Sequence, residues 1–293
     1  MRVRSLAIAL IVAGLLIGSA SDQVPQRQPT RVDGYWLLAA DFHVHAFPGD
    51  GALAPWELQD EAARAGLDAI AVTDHNQVVA GRLAGWVSSD GPLLIPGEEV
   101  TTPAYHLIAL GVADPIDPHQ TSRSAIADVH AQGGVAIAAH PAGRYVGYDS
   151  VAMTALDGAE AAHVAEDPAW AKAFVEFWRQ TRRMNPRAAP IGSSDFHSSP
   201  AVGSNRTYVF ARTVTTAGVL EAIRHGRTVA SDPAGRLYGD PAFVALIQRA
   251  RPAGRSDPHP VWRRVSLFLV WIGIVGLLVL GPGERLPGSR RDA

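Results

Sequence analysis

The chain has no cysteine. Disulfides, thiolate nucleophiles and thiolate metal sites are thereby excluded, and any bound metal must rest on histidine, aspartate and glutamate. The same absence leaves the redox compartment open. Lysine is almost missing too: Lys172 stands alone, and every other basic side chain is arginine. Nor is there a surplus of positive charge, the formal net charge being −2 over 293 residues. Nucleic acid would need a basic face, so no nucleic-acid partner is expected. With 47% hydrophobic and 18% charged residues, the composition is globular with some apolar excess. That suffices for one large domain with a sizeable core.

The excess gathers at the two ends. Residues 6–20 form an apolar run behind the positive MRVR, closing on Gly18-Ser19-Ala20 before the chain turns polar. This pattern is that of a signal peptide, or of an anchor that stays in place. Residues 265–280, VSLFLVWIGIVGLLVL, carry no charge and are flanked by Arg263-Arg264 and Arg290-Arg291. A buried core helix is the alternative there, but the all-round apolar character and the terminal position favour a transmembrane helix over 265–281. We therefore expect a signal or anchor at 1–20, a linker at 21–32, a catalytic domain at 33–230, a Pro/Gly/Arg-rich tether at 231–264, the span, and a tail at 282–293. Arginine counts around the second run favour a cytoplasmic domain. The export-type N-terminus outweighs them, so the expected location is the cell membrane with the domain outside the cytoplasm and the membrane as a partner.

Between these ends, apolar runs alternate with helical patterns. A strand leads into DFHVHAFPGDG at 41–51, and a helix over 54–66 has Pro55 at its start and Gly66 past its end. Further strands are expected at 67–72, 93–100, 105–112, 135–139, 157–163, 188–192 and 205–211, with helices at 121–132, 168–184 and 215–225. Such alternation argues for a parallel α/β fold, either an open sheet or a closed barrel. The polar residues favour the barrel. His43, His45, His75, Glu99, His140, Asp195 and His197 each follow an apolar run, and only a ring brings that many strand ends to one focus. His43 and His45 are two apart, so both imidazoles share one strand face. Asp50 follows in a Gly-rich turn. Histidines 119, 130, 225 and 259 lie in helix surfaces, helix ends or loops and are not expected at the site.

The ordered motifs HVHAFPGDG, TDHN, GEEVTT, HLIALG, AHP and GSSDFH resemble the polymerase and histidinol phosphatase (PHP) family of metal-dependent phosphoesterases, in particular its membrane-associated branch similar to CehA/McbA. The resemblance spans about residues 33–230. It implies a distorted (β/α)7 barrel and a ligand set of His43, His45, Asp50, His75, Glu99, His106, His140, Asp195 and His197. Glu99 is preferred over Glu98 because the family pattern is G-x-E. Period-two geometry agrees that only one of the two can face the centre. Nitrogen and carboxylate donors suit two or three divalent ions, Zn, Mn or Fe. The implied reaction is phosphate-ester hydrolysis by a hydroxide shared between metals, with Asp195 and His197 handling protons. The substrate is expected to be a small phosphorylated molecule, with Arg144, Arg206 and His163 as candidate contacts. A carbamate, ester or amide hydrolase on the same metals is the first alternative. A non-catalytic, metal-stabilised binding domain is the second.

Overall fold

The computed structural model describes residues 2–21, 28–87, 91–164, 168–250, 252 and 260–279. In chain order the elements are α1 (Arg2–Ser21), β1 (Thr30–Val32), β2 (Tyr35–Asp41), α2 (Pro55–Arg64), β3 (Ala69–Val72), α3 (Val79–Val87), β4 (Leu93–Thr101), β5 (His106–Leu110) and α4 (Ser122–Ala131). There follow β6 (Val135–Ala138), α5 (Ser150–Ala155), β7 (Gly158–Ala162), α6 (Pro168–Met184), β8 (Ala189–Gly192), β9 (Arg206–Ala211) and α7 (Thr216–Arg224). The last elements are β10 (Thr228–Ser231), β11 (Leu237–Gly239), α8 (Pro241–Ala250) and α9 (Pro260–Val279). They fall into two compact units, one of α1 with α9 and one spanning Gln26–Ser256.

In the larger unit the strands hydrogen-bond in the order β11-β10-β9-β2-β3-β4-β5-β6-β7-β8, with β1 beside β2. The sheet curls into a nearly closed barrel. Seven strands, β2, β3, β4, β6, β7, β8 and β10, run one way, while β5, β9 and β11 run against them. No ladder joins β8 to β9 or β10 among the described residues, and threonine side chains bridge that gap. Thr207 Oγ1 accepts from Gly192 N and donates to Gly192 O, both at 2.9 Å, and Thr228 Oγ1 donates to Pro190 O at 2.9 Å.

Alternation along the strands sorts side chains into an interior and an outer layer. Leu38, Ala40, Ala69, Ala71, Ile95, Ile108, Val135, Ile137, Ala189, Ile191 and Val209 pack together inside, joined by Val219, Leu220 and Ile223 of α7. The opposite faces pack on the helices: Leu37, Ile70 and Val72 with α2, α3 and α8, and Leu107, Ala136 and Ala159 with α4, α5 and α6. The interior residues are apolar up to the mouth, where the sequence turns to His, Asp and Glu.

Two sequence-based boundaries need correction. Within the expected linker, 30–32 pairs antiparallel with β2. Within the expected tether, 237–250 carries β11 and α8, and Leu246 and Ile247 are buried against the barrel's outer layer. The Pro, Gly and Arg content there masked a short edge strand and an amphipathic helix. Residues 22–27 of the expected linker, 251 and 253–259 of the expected tether, 280–281 of the expected span and the whole expected tail at 282–293 lie outside the described residues.

Candidate metal centre

The nine side chains expected from the motifs converge at the barrel mouth. The strands reach it through a second tier of backbone bonds past their regular ends: Thr73 N to Val44 O at 2.9 Å, Glu99 N to Asp74 O at 3.1 Å, His45 N to Phe196 O at 2.8 Å and Ser193 N to Ala162 O at 3.0 Å. On β4, Ile95 faces the interior, so two-residue periodicity carries Glu99 inward as well. Glu98 turns outward and accepts from Ile116 N at 2.5 Å. His106 reaches the mouth because β5 is antiparallel, which puts its first residue where the other strands have their last. His140 and Asp195 take positive φ, 27° and 53°, a conformation uncommon outside glycine and concentrated at functional sites.

Glu99 sits at the middle. Its Oε1 lies 2.8 Å from His106 Nδ1 and 2.9 Å from His140 Nε2, and its Oε2 lies 2.8 Å from His75 Nδ1 and 3.3 Å from His43 Nε2. Asp195 Oδ1 stands 3.2 Å from His43 Nε2 and 3.1 Å from His45 Nε2. Asp50 reaches over from its loop, Oδ1 to His45 Nδ1 at 3.0 Å and Oδ2 to His75 Nε2 at 3.3 Å and His197 Nε2 at 3.2 Å. That loop is pinned by Ala52 N to His197 O at 2.6 Å and Ala46 N to Asp74 Oδ1 at 2.8 Å. Gly51 is required in it, since a Cβ there would collide with the His45 carbonyl.

Among the described residues these side chains alone make three of the four ligand-sized groups: His43, His45 and Glu99; Glu99, His106 and His140; and His45, Asp50, His75 and His197. Asp195 joins the first by its 3.1–3.2 Å approaches. The test of fit is the set of buried polar atoms left without a hydrogen bond. His43 Nε2, His45 Nε2, Glu99 Oε2, Asp195 Oδ1 and His163 Nε2 are all in that state. These atoms approach one another, Glu99 Oε2 to 2.8 Å from His75 Nδ1, without forming hydrogen bonds; buried polar atoms are ordinarily paired, so such a converging set fits divalent cations.

The electrostatics point the same way. Burial would depress the His43 imidazole, but Asp195, Glu99 and Glu160 outweigh it and hold it well above its ordinary value. Burial dominates at His45, which is lowered. Burial would raise Glu99, yet His43, His106 and His140 hold it well below the usual carboxylate range. Asp195 behaves likewise, with His43, His163 and His45 overcoming burial. The site is a nest of anionic carboxylates and imidazoles that a cation can replace as the balancing charge.

His163 lies deeper in the cluster than a substrate contact on the rim. Its Nε2 is 3.5 Å from Asp195 Oδ2, and it forms a further group with His43 and His140. Arg144 stays on the rim, donating to Tyr145 Oη at 2.7 Å, while the Tyr145 ring stands 4.1 Å from that of His106. Arg206 corrects the expectation of a phosphate contact: its guanidinium donates to the carbonyls of Gly203 and Ala65.

Sequence reasoning missed Glu160. Fully buried, it accepts at Oε1 from His43 Nδ1 at 3.0 Å and at Oε2 from His140 N at 2.5 Å. That bond keeps the His43 proton on Nδ1 and leaves Nε2 to face the centre. Glu160 and His163 are three apart and should oppose one another on a regular strand. The pairing of β7 with β8 slips between Glu160 and Ala162, and both side chains face inward. A buried glutamate in an alanine-rich strand was the available signal. Asp41 was missed as well: it accepts from Ser194 N at 3.1 Å and Gly203 N at 2.8 Å, tying the end of β2 to the loop after β8.

No protein-family model matches the chain. An uncharacterized protein of Methanocaldococcus jannaschii is 27% identical over 117 residues, covering 36% of this chain and 68% of that protein. Among solved structures, a two-domain protein from Bacteroides vulgatus containing a predicted PHP-like metal-dependent phosphoesterase aligns with a TM-score of 0.63 at 23% identity, over 78% of this chain and 74% of that one. PsfC from Pseudomonas syringae aligns at 19% identity and a TM-score of 0.49, over 73% and 96%. The likeness to the Bacteroides vulgatus structure shows that this chain shares its barrel fold.

Proposed function

We propose that the barrel is a metal-dependent hydrolase acting on a phosphate ester. The observation that carries the metal dependence is the convergence of His43, His45, Glu99 and Asp195 on one point, their facing atoms 3.1–3.3 Å apart without hydrogen bonds; the phosphate ester rests on the resemblance of the motifs. Divalent cations held there would supply Lewis acidity and a nucleophile drawn from water at neutral pH. Glu99 would hold cations through both of its oxygens, each of which meets imidazoles. Glu160 orients His43. Asp195, whose Oδ2 lies 3.5 Å from His163 Nε2, would take up or return a proton. His197 would meet the leaving group, and the rim residue Arg144 the anionic oxygens. A cavity of about 250 Å³ lined by His163, Phe174, Asn205 and Tyr238 gives room for the organic part of a small substrate.

The ions are two or three of Zn, Mn or Fe. The chain is held at the membrane, a reading supported by two apolar helices of sufficient length, Arg4–Ser21 and Val261–Val279, and the export-type N-terminus favours a barrel outside the cytoplasm. The test is a substrate panel of phosphomonoesters, phosphodiesters and aryl carbamates on metal-reconstituted protein. At least two metal equivalents per chain and turnover of a phosphate ester are expected, both lost in His43→Ala and Glu99→Ala. Turnover of carbamates alone would overturn the substrate class, and full activity in metal-free protein would overturn the mechanism.

A further inference from the structure

The unit formed by α1 and α9 carries information that neither helix carries alone. Each is 20 residues long, about 30 Å at 1.5 Å per residue, the thickness of a bilayer's hydrocarbon core. Their outer faces are apolar and exposed: Leu6, Ile8, Leu15 and Leu16 on α1, and Leu267, Phe268, Trp271, Val275 and Leu278 on α9. Their inner faces are small. A Cβ on Gly14 would fall 2.7 Å from Val270 Cγ2, one on Gly18 would fall 2.6 Å from Ser266 Oγ, and one on Gly273 would fall 2.6 Å from Ala7 O. Gly14 and Gly18 are four apart on one face, the spacing that lets two membrane helices approach closely.

A hydrogen bond adds to the seam. Ser266, 7% exposed, donates from Oγ to Gly14 O at 2.8 Å. In an apolar surrounding this hydroxyl needs a partner, and α1 provides it. The contacts run in opposite senses along the two helices: Ala7 meets Gly276, Ile11 meets Gly273, Gly14 meets Val270 and Gly18 meets Ser266. The pair is antiparallel, so Ser21 and Pro260 lie at one end and Arg2 and Val279 at the other.

An export signal that is cut away needs no complementary surface elsewhere in the chain. Here, losing α1 would leave Ser266, Gly273 and Gly276 of α9 without the surface they pack on, and the Ser266 hydroxyl without its Gly14 acceptor. We propose that α1 is retained as a transmembrane helix and closes on α9 as an antiparallel hairpin. The intervening chain then emerges and returns on one side of the bilayer, held at both ends, with the Arg2 end of α1 and the Val279 end of α9 together on the other side.

The lack of native cysteine makes the test clean. A Cβ on Gly276 would stand 3.4 Å from Ala7 Cβ, ordinary contact that a cysteine fits and close to disulfide geometry. Full-length Ala7→Cys/Gly276→Cys protein, oxidised in its native membrane, is expected to form an internal disulfide that holds the terminal fragments together after proteolysis of the barrel. Leu16→Cys/Gly276→Cys, offset by about 13 Å along the axis, is expected not to. Intact mass of the unmodified chain from membranes is expected to include α1. A mature chain starting near residue 21, a bridge joining two chains, or equal crosslinking in both variants would overturn the proposal. None of these readouts depends on hydrolase activity, so they stand apart from the reading of the metal centre.

Discussion

At the scale of single residues, Glu98 and Glu99 show how one backbone step separates two fates. Glu99 faces the centre and is held ionised by His43, His106 and His140. Glu98 faces an apolar layer, where burial pushes its carboxyl up to about 7 against the single bond from Ile116 N. A carboxyl raised in the folded state binds its proton more tightly than in the unfolded chain, so stability falls as pH rises from about 4.5 to 7 and stays lower above. Glu98→Gln keeps the bond to Ile116 N without the charge. It is expected to raise the melting temperature at pH 8, leave it nearly unchanged at pH 5, and keep the metal content, whereas Glu99→Gln loses metal. The reverse pattern would mean that β4 is displaced by one residue. Glu160→Gln is expected to keep the fold and weaken metal affinity about 10–100-fold, read by competition with a chelating dye; unchanged affinity would remove Glu160 from any orienting role.

At the scale of elements, the ring depends on its irregular parts. The seam between β8 and β9 has no ladder, and Thr207 satisfies both backbone groups of Gly192 in its place. Thr207→Val keeps the shape but strands a buried N–H and C=O. A loss of roughly 1–3 kcal/mol is expected from each unsatisfied group's desolvation. Because β8 delivers Asp195 three residues on, metal affinity should fall alongside the denaturant midpoint. A shift in midpoint with intact metal binding would show that Asp195 is positioned by Asp41 and its bonds to Ser194 and Gly203 instead. The slip in β7 has the same character, since it puts both Glu160 and His163 inward where a regular strand would offer only one.

At the scale of the whole molecule, the larger unit joins residues far apart in sequence through one anionic cluster, from His43 to His197. Cations that bind only the folded barrel stabilise it by mass action, about 3–4 kcal/mol when ligand exceeds its dissociation constant by two to three powers of ten. Chelation is therefore expected to lower the melting temperature by several degrees, and re-addition of Zn or Mn to restore it. A melting curve indifferent to chelator would argue that the cluster balances its charge with protons alone.

The linear chain determined much of this. Apolar runs ending in His, Asp or Glu marked the strand ends, and the two-residue periodicity of β4 let only one of Glu98 and Glu99 face the centre, the G-x-E resemblance naming Glu99. Local rules suffice there because neighbours along a strand decide which face a side chain takes. What the chain could not decide by itself was set by partners distant in sequence. The antiparallel course of β5 carries His106 to the mouth from the wrong end of its strand, and the slip against β8 turns Glu160 inward. The strand pairing of β11 recruits a stretch whose Pro, Gly and Arg content reads as tether. Arg206 looked free to bind phosphate until the carbonyls of Gly203 and Ala65 were seen beside it. Strand direction, register and hydrogen-bond partners are pairwise properties, and a sequence fixes only one member of each pair at a time; the folded barrel supplies the other.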